Sequence, residues 1–338
     1  MEDNVKIPEE TENNAVENES TPIALETEET VAAETTESSV LAQGVMTEKD
    51  IKQVTKKQRI VKICVQVGLY LFLGIMALIV LFPFYFMIIS SLKSINEYYD
   101  PTLTIYQQLW PSEFLFKNYA AAFETANLAQ LFYNTIYVGI VSTILSLIVT
   151  VLSAFAFARL EFKGKNILFA FLLATMMIPG ELFTITNYIT VDRLDWFDSY
   201  TVLIVPFLVS VFYIYLLKQN FMQIPNELYL AAKVDGTTDL KYLWKVMIPL
   251  ALPTIISITI LKMMGSWNSY LWPKLVTNDE SYKLITNGLR DSFSAVDSKP
   301  DIPKQMAAVA MVSAPLFLVF IFLRKYIMKG VSRSGIKG

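Results

Sequence analysis

Residues 63–92 read ICVQVGLYLFLGIMALIVLFPFYFMIISSL, a stretch without one charged side chain. A helix of about 20 apolar residues is long enough to cross the hydrocarbon core of a bilayer. The whole chain has the same character: 54% of its 338 residues are hydrophobic, 17% are charged, and its mean hydropathy is +0.43. Soluble domains carry about 25% charged residues. The sequence therefore predicts an integral membrane protein.

Five further apolar windows follow, each with at most one charged residue. The two isolated charges are Glu181 and Lys262. Because each window can cross a bilayer as a helix, the sequence predicts an all-α integral membrane fold with six transmembrane helices. Their predicted positions are about 64–91, 131–158, 166–190, 200–219, 249–272 and 306–327.

The first 45 residues form an acidic segment without an aromatic side chain. Such a segment buries too little apolar surface to fold, so a disordered cytoplasmic tail is expected over 1–45. Its acidic start excludes a secretory signal peptide. A solvated tail without a specific role and a docking or regulatory arm both remain open. Residues 46–62 form a basic juxtamembrane segment, and 63–338 form the transmembrane domain.

Positive charges predict the orientation of the spans. With the N-terminus inside the cell, the cytoplasmic segments hold 18 Lys and Arg and the outer loops hold 8. Cytoplasmic loops of membrane proteins carry the excess of Lys and Arg. The sequence therefore predicts a multi-pass protein of the cell (plasma or inner) membrane with both termini in the cytoplasm.

The cytoplasmic loop 218–248 contains PNELYLAAKVDG at 225–236. Leu228, Ala231 and Ala232 fall at i, i+3 and i+4, which predicts a short helix with a shallow apolar face. Gly236 suits a left-handed helix end. This segment is either a docking element for another protein or an interfacial loop packed on its own bundle, and its residues favour the two equally.

ELYLAAKVDG at 227–236, followed thirteen residues after Gly236 by Pro249, resembles the EAA motif of binding-protein-dependent ABC importer permeases. Other segments resemble the carbohydrate-uptake branch of that family, which includes the maltose-type inner permeases. These segments are LSAFAFARLEFKGKN (152–166), MMIPGE (176–181), WNSYLWP (267–273) and GVSRSGIKG (330–338). The resemblance covers about residues 63–338 and excludes the tail.

The resemblance implies a type I ABC importer permease fold and several partners. These are a second homologous permease subunit, two cytoplasmic ATPases that use ATP and Mg, and an extracytoplasmic solute-binding protein that delivers the sugar. The chain itself is then no enzyme and binds no cofactor or metal. The resemblance also implies that outer loop 273–305 contacts the binding protein and that the C-terminus 330–338 reaches the ATPases.

In the family, the EAA loop is a coupling helix that inserts into the ATPase. By position, the coupling residues here are Glu227, Leu230, Ala231, Ala232, Asp235 and Gly236. Leu230 stands where the family pattern has Glu, so an ionic contact made there is replaced by an apolar one.

Several polar and aromatic residues of the spans are candidates for the translocation pathway. They are Asn134, Glu181, Lys262, Trp267 and Asn268. Packing or anchoring at the interface is the alternative for Asn134, Trp267 and Asn268. A central lysine facing lipid is costly, so Lys262 is expected inside the assembly, held by polar groups of the bundle or lining the translocation cavity. Gly265 and Ser266 share its helix face and would leave open space beside it.

Other functions fit the sequence less well. The chain has no His, and Glu181, near the end of its span, is the one carboxylate within the predicted spans. A stand-alone secondary transporter often relays protons through such groups, so it fits this sequence poorly. The single Cys is Cys64. No GxxxxGK[ST] phosphate loop is present, so ATP binding by that route needs a separate subunit. The expected substrate is a sugar or oligosaccharide, with a glycerol-phosphate or polyol as the alternative. Membrane lipid is the remaining partner, and no feature indicates nucleic acid.

Overall fold

The computed structural model describes residues 48–293 and 300–332 of the chain. The described residues form α-helices joined by short loops, without a strand. The helices are α1 Glu48–Ser91, α2 Ile95–Tyr98, α3 Ile105–Leu109, α4 Lys117–Thr125, α5 Leu128–Arg159, α6 Lys165–Thr175, α7 Phe183–Arg193, α8 Tyr200–Ile204, α9 Val211–Met222, α10 Asn226–Val234, α11 Asp239–Tyr242, α12 Ile248–Leu250, α13 Leu252–Trp267, α14 Leu271–Val276, α15 Ile285–Ser292 and α16 Ile302–Ser332. The predicted acidic tail, 1–45, and the last part of the predicted C-terminal contact segment, 333–338, lie outside the described residues.

Three helical segments are each long and apolar enough to cross a membrane alone. They are Val61–Ser91 within α1, all of α5, and Ile302–Phe322 within α16. Three bent pairs have the same length and character if each is counted as one span. They are α6 with Gly180–Arg193, bent by 81°, Tyr200–Phe207 with α9, bent by 46°, and Asp239–Leu250 with α13, bent by 81°. The all-helical membrane fold is confirmed, and the individual span limits stay a prediction.

Three of the predicted spans are bent pairs of helices rather than single continuous helices, and proline accounts for part of this difference. Proline lacks the backbone N–H and disfavours helical geometry in the residue before it. The first break contains Pro179, and the third lies at Ala251 between Pro249 and Pro253. Pro83 and Pro315 instead lie inside continuous helices, so proline alone does not locate a break in this chain.

The chain forms two units, Met1–Ile79 and Val80–Gly338. In the first unit, the side chains of residues 61–79 are exposed and mostly apolar. An apolar helical surface of this extent suits contact with lipid.

The second unit is built around α5. This helix packs against α9 and α13, and 44% of its apolar window is buried. One core cluster joins α5, α9 and the segment after α10, with Phe221, Tyr242 and Leu243 fully enclosed. A second cluster joins the start of α5 to α15 and α16 through Leu128, Ile285 and Ala307. The long central helix therefore holds the broken helices in place at both of its ends.

Candidate coupling hairpin and membrane cleft

Helix α10 and the turn after it form a compact hairpin with α11. Pro225 precedes α10, and Gly236 follows it with a φ of +69°. The Thr237 N–H donates to the Ala232 carbonyl at 2.8 Å, and the Gly236 N–H donates to the Lys233 carbonyl at 3.0 Å. This pair of hydrogen bonds is the Schellman helix end, which requires a left-handed residue. The predicted left-handed end at Gly236 is confirmed.

An ion pair and a phenol hydrogen bond join the two arms of the hairpin. The Lys233 ammonium lies 2.7 Å from Asp239 Oδ1, and the Tyr229 hydroxyl donates to the same oxygen at 2.8 Å. The hydrogen bonds from Lys233 and Tyr229 hold the pKa of Asp239 below its usual value. The hydrogen bond to Asp239 raises the pKa of Lys233. Both groups are therefore charged at neutral pH, and the hairpin is braced across its turn.

The two faces of α10 differ from the sequence expectation. Tyr229 and Ala232 pack against the core cluster beside α5, because they lie three residues apart on one side of the helix. Leu228, Leu230 and Val234 point away from that cluster and are 45%, 55% and 88% exposed. The expected face of Leu228, Ala231 and Ala232 is thus divided, with Ala231 exposed and Ala232 half-buried.

Most of the predicted coupling residues lie on the exposed side of the hairpin. Glu227, Leu230, Ala231, Asp235 and Gly236 are all exposed. Exposed apolar side chains next to charged ones are typical of a surface that binds another protein. Their role in coupling stays a prediction.

Arg159 is a positioning residue that the sequence analysis counted only as a positive charge. It is the last residue of α5 and is 9% exposed. One guanidinium nitrogen, Nη2, donates to the Phe221 carbonyl at 2.9 Å and to the Ile224 carbonyl at 2.5 Å. These carbonyls lie at the end of α9, where a positive charge is favourable. Arg159 therefore fixes the chain just before the coupling hairpin.

A cleft of about 420 Å³ lies between α5, the break before α9, and α13. Lys262 of α13 lines it, and the Lys262 Nζ donates to the Phe207 carbonyl at 2.7 Å. Gly265 and Ser266 line the same cleft, as their spacing from Lys262 predicts. A backbone carbonyl thus holds the ammonium at the wall of an open cleft, and the place of Lys262 in a translocation cavity stays a prediction.

Asn134 is fully buried, and hydrogen bonds surround its amide group. Its Nδ2 donates to the Ser281 and Lys283 carbonyls, both at 2.8 Å. Its Oδ1 accepts from the Tyr200 hydroxyl at 2.8 Å and from Gln130 Nε2 at 2.9 Å. This geometry favours the packing role that was left open for Asn134. Its place in a translocation pathway stays a prediction.

The other candidates lie away from the cleft. Trp267 is buried against Phe132, with ring centroids 5.9 Å apart, in the cluster that includes α16. Asn268 is exposed, and its Nδ2 donates to the Met264 carbonyl of its own helix. Glu181 is exposed in the turn between α6 and α7. None of the three lines the Lys262 cleft.

The predicted outer loop 273–305 is described up to residue 293 and from residue 300. Asp291 pairs with Lys274 at 2.7 Å and with Lys283 at 3.1 Å. These pairs hold α15 beside α14, so part of the mixed charge in this loop is used within the chain. The predicted contact of 273–305 with a binding protein stays a prediction.

Broken apolar helices lie around a cleft with one lysine and several hydroxyl groups, and an exposed hairpin lies between two of them; the family match shows that this fold is that of a membrane transport permease. The chain belongs to the family described as binding-protein-dependent transport system inner membrane component, whose model matches residues 146–333. Membership confirms the predicted family of ABC importer permeases. It also makes the chain a membrane transport component rather than an enzyme.

Relatives of the chain are permease proteins of named transport systems. The permease AraQ of the arabinooligosaccharides system of Bacillus subtilis is 29% identical over 274 residues, which is 81% of this chain and 96% of AraQ. YtcP of the polygalacturonan/rhamnogalacturonan system of the same species is 28% identical, covering 80% and 97%. UgpE of the sn-glycerol-3-phosphate system of Pectobacterium atrosepticum is 26% identical, covering 78% and 94%.

A solved structure shares the fold. It is a bacterial ABC transporter involved in the import of the acidic polysaccharide alginate, and one of its chains superimposes with a TM-score of 0.70. The match covers 84% of this chain and 99% of that chain at 23% sequence identity. The chain therefore shares its overall fold with a chain of that transporter.

Proposed function

We propose that this chain is one of two permease subunits of an ATP-driven importer for sugars or oligosaccharides. A solute-binding protein outside the membrane delivers the substrate, and two separate ATPases in the cytoplasm drive its passage. Membership of the binding-protein-dependent family supports both kinds of partner. A second, homologous permease subunit completes the pathway.

The single observation that carries the proposal is the exposed hairpin of α10 and α11. Its turn is held by the Gly236 helix end and by the Lys233–Asp239 pair, so its outward surface has a defined shape. That surface presents Leu228, Leu230 and Val234 to another protein. A braced apolar projection can transmit a movement of an ATPase to α9 and α13, between which it lies.

The orientation follows from the positions of the positive charges. Placing the hairpin and both termini in the cytoplasm puts 19 Lys and Arg residues on that side, 18 in the segments beside the spans and Lys6 in the acidic tail. This placement satisfies the positive-inside rule. It also puts the hairpin on the side where ATP is available.

The relatives support a carbohydrate as substrate, because the named systems include those for arabinooligosaccharides and polygalacturonan/rhamnogalacturonan. The relatives of the sn-glycerol-3-phosphate systems favour a second candidate, a glycerol-phosphate. The cleft offers hydroxyl groups and one ammonium to either substrate.

A site-specific photo-cross-link tests the proposal. Ala231→Cys, in a Cys64→Ser background, carries a benzophenone maleimide, and the complex is purified from membranes before irradiation. We expect a covalent product between this chain and an ATPase subunit. Asn278→Cys, exposed in the outer loop, is the matched control and is expected to give no such product.

The two possible failures have different meanings. If no ATPase co-purifies with the unmodified chain, the importer assignment is wrong. If an ATPase co-purifies but Ala231→Cys does not cross-link to it, the importer stands and the hairpin is not its coupling element.

A further inference from the structure

We propose that the cleft around Lys262 selects carbohydrates that carry a negatively charged group. The inference rests on the proposed import of carbohydrate and adds the charge class of the substrate. It is carried by the juxtaposition of an ammonium, an unwound chain segment and several hydroxyl groups at one cavity.

The cleft has one charged residue in its lining. Its walls are formed by Val138, Ser142, Leu203, Phe207, Val209, Ser210, Tyr213, Lys262, Gly265, Ser266, Ser269, Trp272, Pro273 and Leu284. None of these lining residues is acidic, so no carboxylate of the lining neutralises Lys262.

The Lys262 ammonium has capacity left for a solute. An ammonium offers three N–H donors, and the Phe207 carbonyl accepts one of them. A charged side chain within a span is costly unless water or a partner satisfies it. An anionic group of the substrate, bound in the cleft, would supply both the charge and the acceptors.

The chain break beside Lys262 adds to the positive potential. Helix α9 begins at Val211, and Ser210, its N-terminal cap, lines the cleft. The Ser210 hydroxyl accepts from the Tyr213 N–H, and the N–H groups before it give the helix start a partial positive charge. Broken helices with their N-terminal ends at a midplane site bind anionic groups in other transporters.

The remaining lining suits a sugar ring. Ser266 and Ser269 offer hydroxyl groups, and Tyr213 and Phe207 offer aromatic rings, whereas the buried Ser142 hydroxyl donates to the Gly139 carbonyl. Hydroxyl groups can exchange hydrogen bonds with sugar hydroxyls, and aromatic rings can pack on the apolar face of a pyranose. A volume of about 420 Å³ lies within the usual range of about 300–1,000 Å³ for small-molecule sites.

The charge of the cleft is measured with paired thiol reagents of opposite charge. Ser266→Cys, in a Cys64→Ser background of the assembled transporter, reacts with the anionic methanethiosulfonate ethylsulfonate and the cationic methanethiosulfonate ethyltrimethylammonium. We expect the ratio of the reaction rate with the anionic reagent to that with the cationic reagent to fall about tenfold when Lys262→Met is added. This is the size expected for removing one charge a few ångströms from the thiol in a water-accessible site. Lys262→Arg is expected to keep the ratio.

Asn278→Cys serves as the control reporter, since it lies in the outer loop rather than in the cleft. Its ratio of rates is expected to be the same with Lys262 and with Lys262→Met. An unchanged ratio at Ser266→Cys, or a Ser266→Cys that neither reagent reaches, would overturn the inference.

Protection of Ser266→Cys by solutes then tests the substrate class. Trigalacturonate is compared with galactotriose, and sn-glycerol 3-phosphate with glycerol, which separates a carboxylate from a phosphate ester. We expect stronger protection by the charged member of at least one pair, and loss of that preference with Lys262→Met. Equal or stronger protection by the neutral members would contradict the inference. The photo-cross-link from Ala231→Cys to an ATPase subunit tests the proposed function independently of this result.

Discussion

Arg159 and Lys262 show two ways in which this chain accommodates a cation without a carboxylate. Arg159 is buried and donates to two carbonyls at a helix end. Lys262 donates to one carbonyl and lies at the edge of an open cleft. The first arrangement leaves little room for a solute, so Arg159 has a structural role. The second leaves donors available, so Lys262 is the residue suited to binding.

Replacing Arg159 by Met is expected to lower the stability of the protein. The Phe221 carbonyl keeps the Ile224 N–H as a donor at 3.3 Å, but the Ile224 carbonyl loses the guanidinium donor, and a buried group left unsatisfied costs about 1–3 kcal/mol. We expect a lower melting temperature of the Arg159→Met variant in detergent, measured by the loss of folded protein on heating. Arg193→Met, at an exposed position near the end of α7, is the control, and an equal melting temperature for the two variants would contradict the role of Arg159.

At the residue scale, sequence patterns predicted the conformation of Gly236 and the shared face of Lys262, Gly265 and Ser266. Both depend on local rules, a left-handed helix end and the spacing of helical residues. The burial of Asn134 and the carbonyl contacts of Arg159 depend on segments distant in the sequence. No pattern in the neighbouring sequence predicts the burial of Asn134 or the carbonyl contacts of Arg159.

The hairpin of α10 and α11 is the element that we propose contacts the ATPase subunits. Its second arm, α11, begins after Thr238, whose hydroxyl accepts from the Lys241 N–H. The turn therefore has a helix end on one side and a helix start on the other. A change in this turn alters the exposed surface of α10 without removing any core side chain.

Gly236→Val is expected to uncouple transport while the protein still inserts into the membrane. No atom lies within 4 Å of the Cβ position at Gly236, so the variant is limited by its backbone conformation alone. A left-handed conformation costs a residue with a Cβ roughly 1–2 kcal/mol, and we expect ATPase co-purification and sugar uptake to fall about fivefold or more. Gly236→Asn is the control, because asparagine tolerates this conformation, and it is expected to retain most of the ATPase co-purification and of the sugar uptake. Normal uptake by Gly236→Val would contradict the coupling assignment.

Asp239→Asn is expected to loosen the hairpin. Because hydrogen bonds lower the pKa of Asp239, its stabilising contribution is complete above about pH 4 and is lost as the pH falls through the lowered pKa. At pH 7 the variant lacks the ion pair, and we expect the Thr237 amide to exchange with deuterium about two- to fivefold faster. Asp235→Asn, on the exposed side of α10, should leave that rate unchanged, and equal rates in all three proteins would show that Asp239 does not brace the turn.

At the element scale, the apolar windows predicted where helices occur, because apolar length is a property of continuous sequence. They did not predict the bends within three of the windows. The break over residues 208–210 is held by contacts with α13, including the Lys262 bond to Phe207. The division of the α10 surface was also missed, since the packing of Ala232 depends on the core beside α5.

The chain combines a membrane domain of a known permease family with an N-terminal segment of different composition. The family model matches residues 146–333, and the relative AraQ covers 81% of the chain. Family resemblance identified the class of transporter from short motifs in the right order. Those motifs did not predict the charge of the substrate, because a proposal about that charge depends on which side chains surround one cleft.

The orientation of the whole molecule can be tested with reporter fusions. Because the cytoplasmic segments carry 18 Lys and Arg against 8 outside, we expect a fluorescent protein fused after Gly338 to fold and fluoresce. Alkaline phosphatase fused at the same position should be inactive, whereas a fusion ending at Asn278 should be active. The opposite pattern would reverse the orientation and place the hairpin outside the cell.

Carbohydrate transport by this chain is expected only within an ATPase-driven assembly. Accumulation of a labelled oligosaccharide is measured in liposomes that contain the purified complex and its binding protein. We expect accumulation that requires ATP, stops when the ATPase is inactivated by mutation, and persists when a protonophore dissipates the proton gradient. Accumulation by this chain without an ATPase, abolished by the protonophore, would instead identify a secondary transporter.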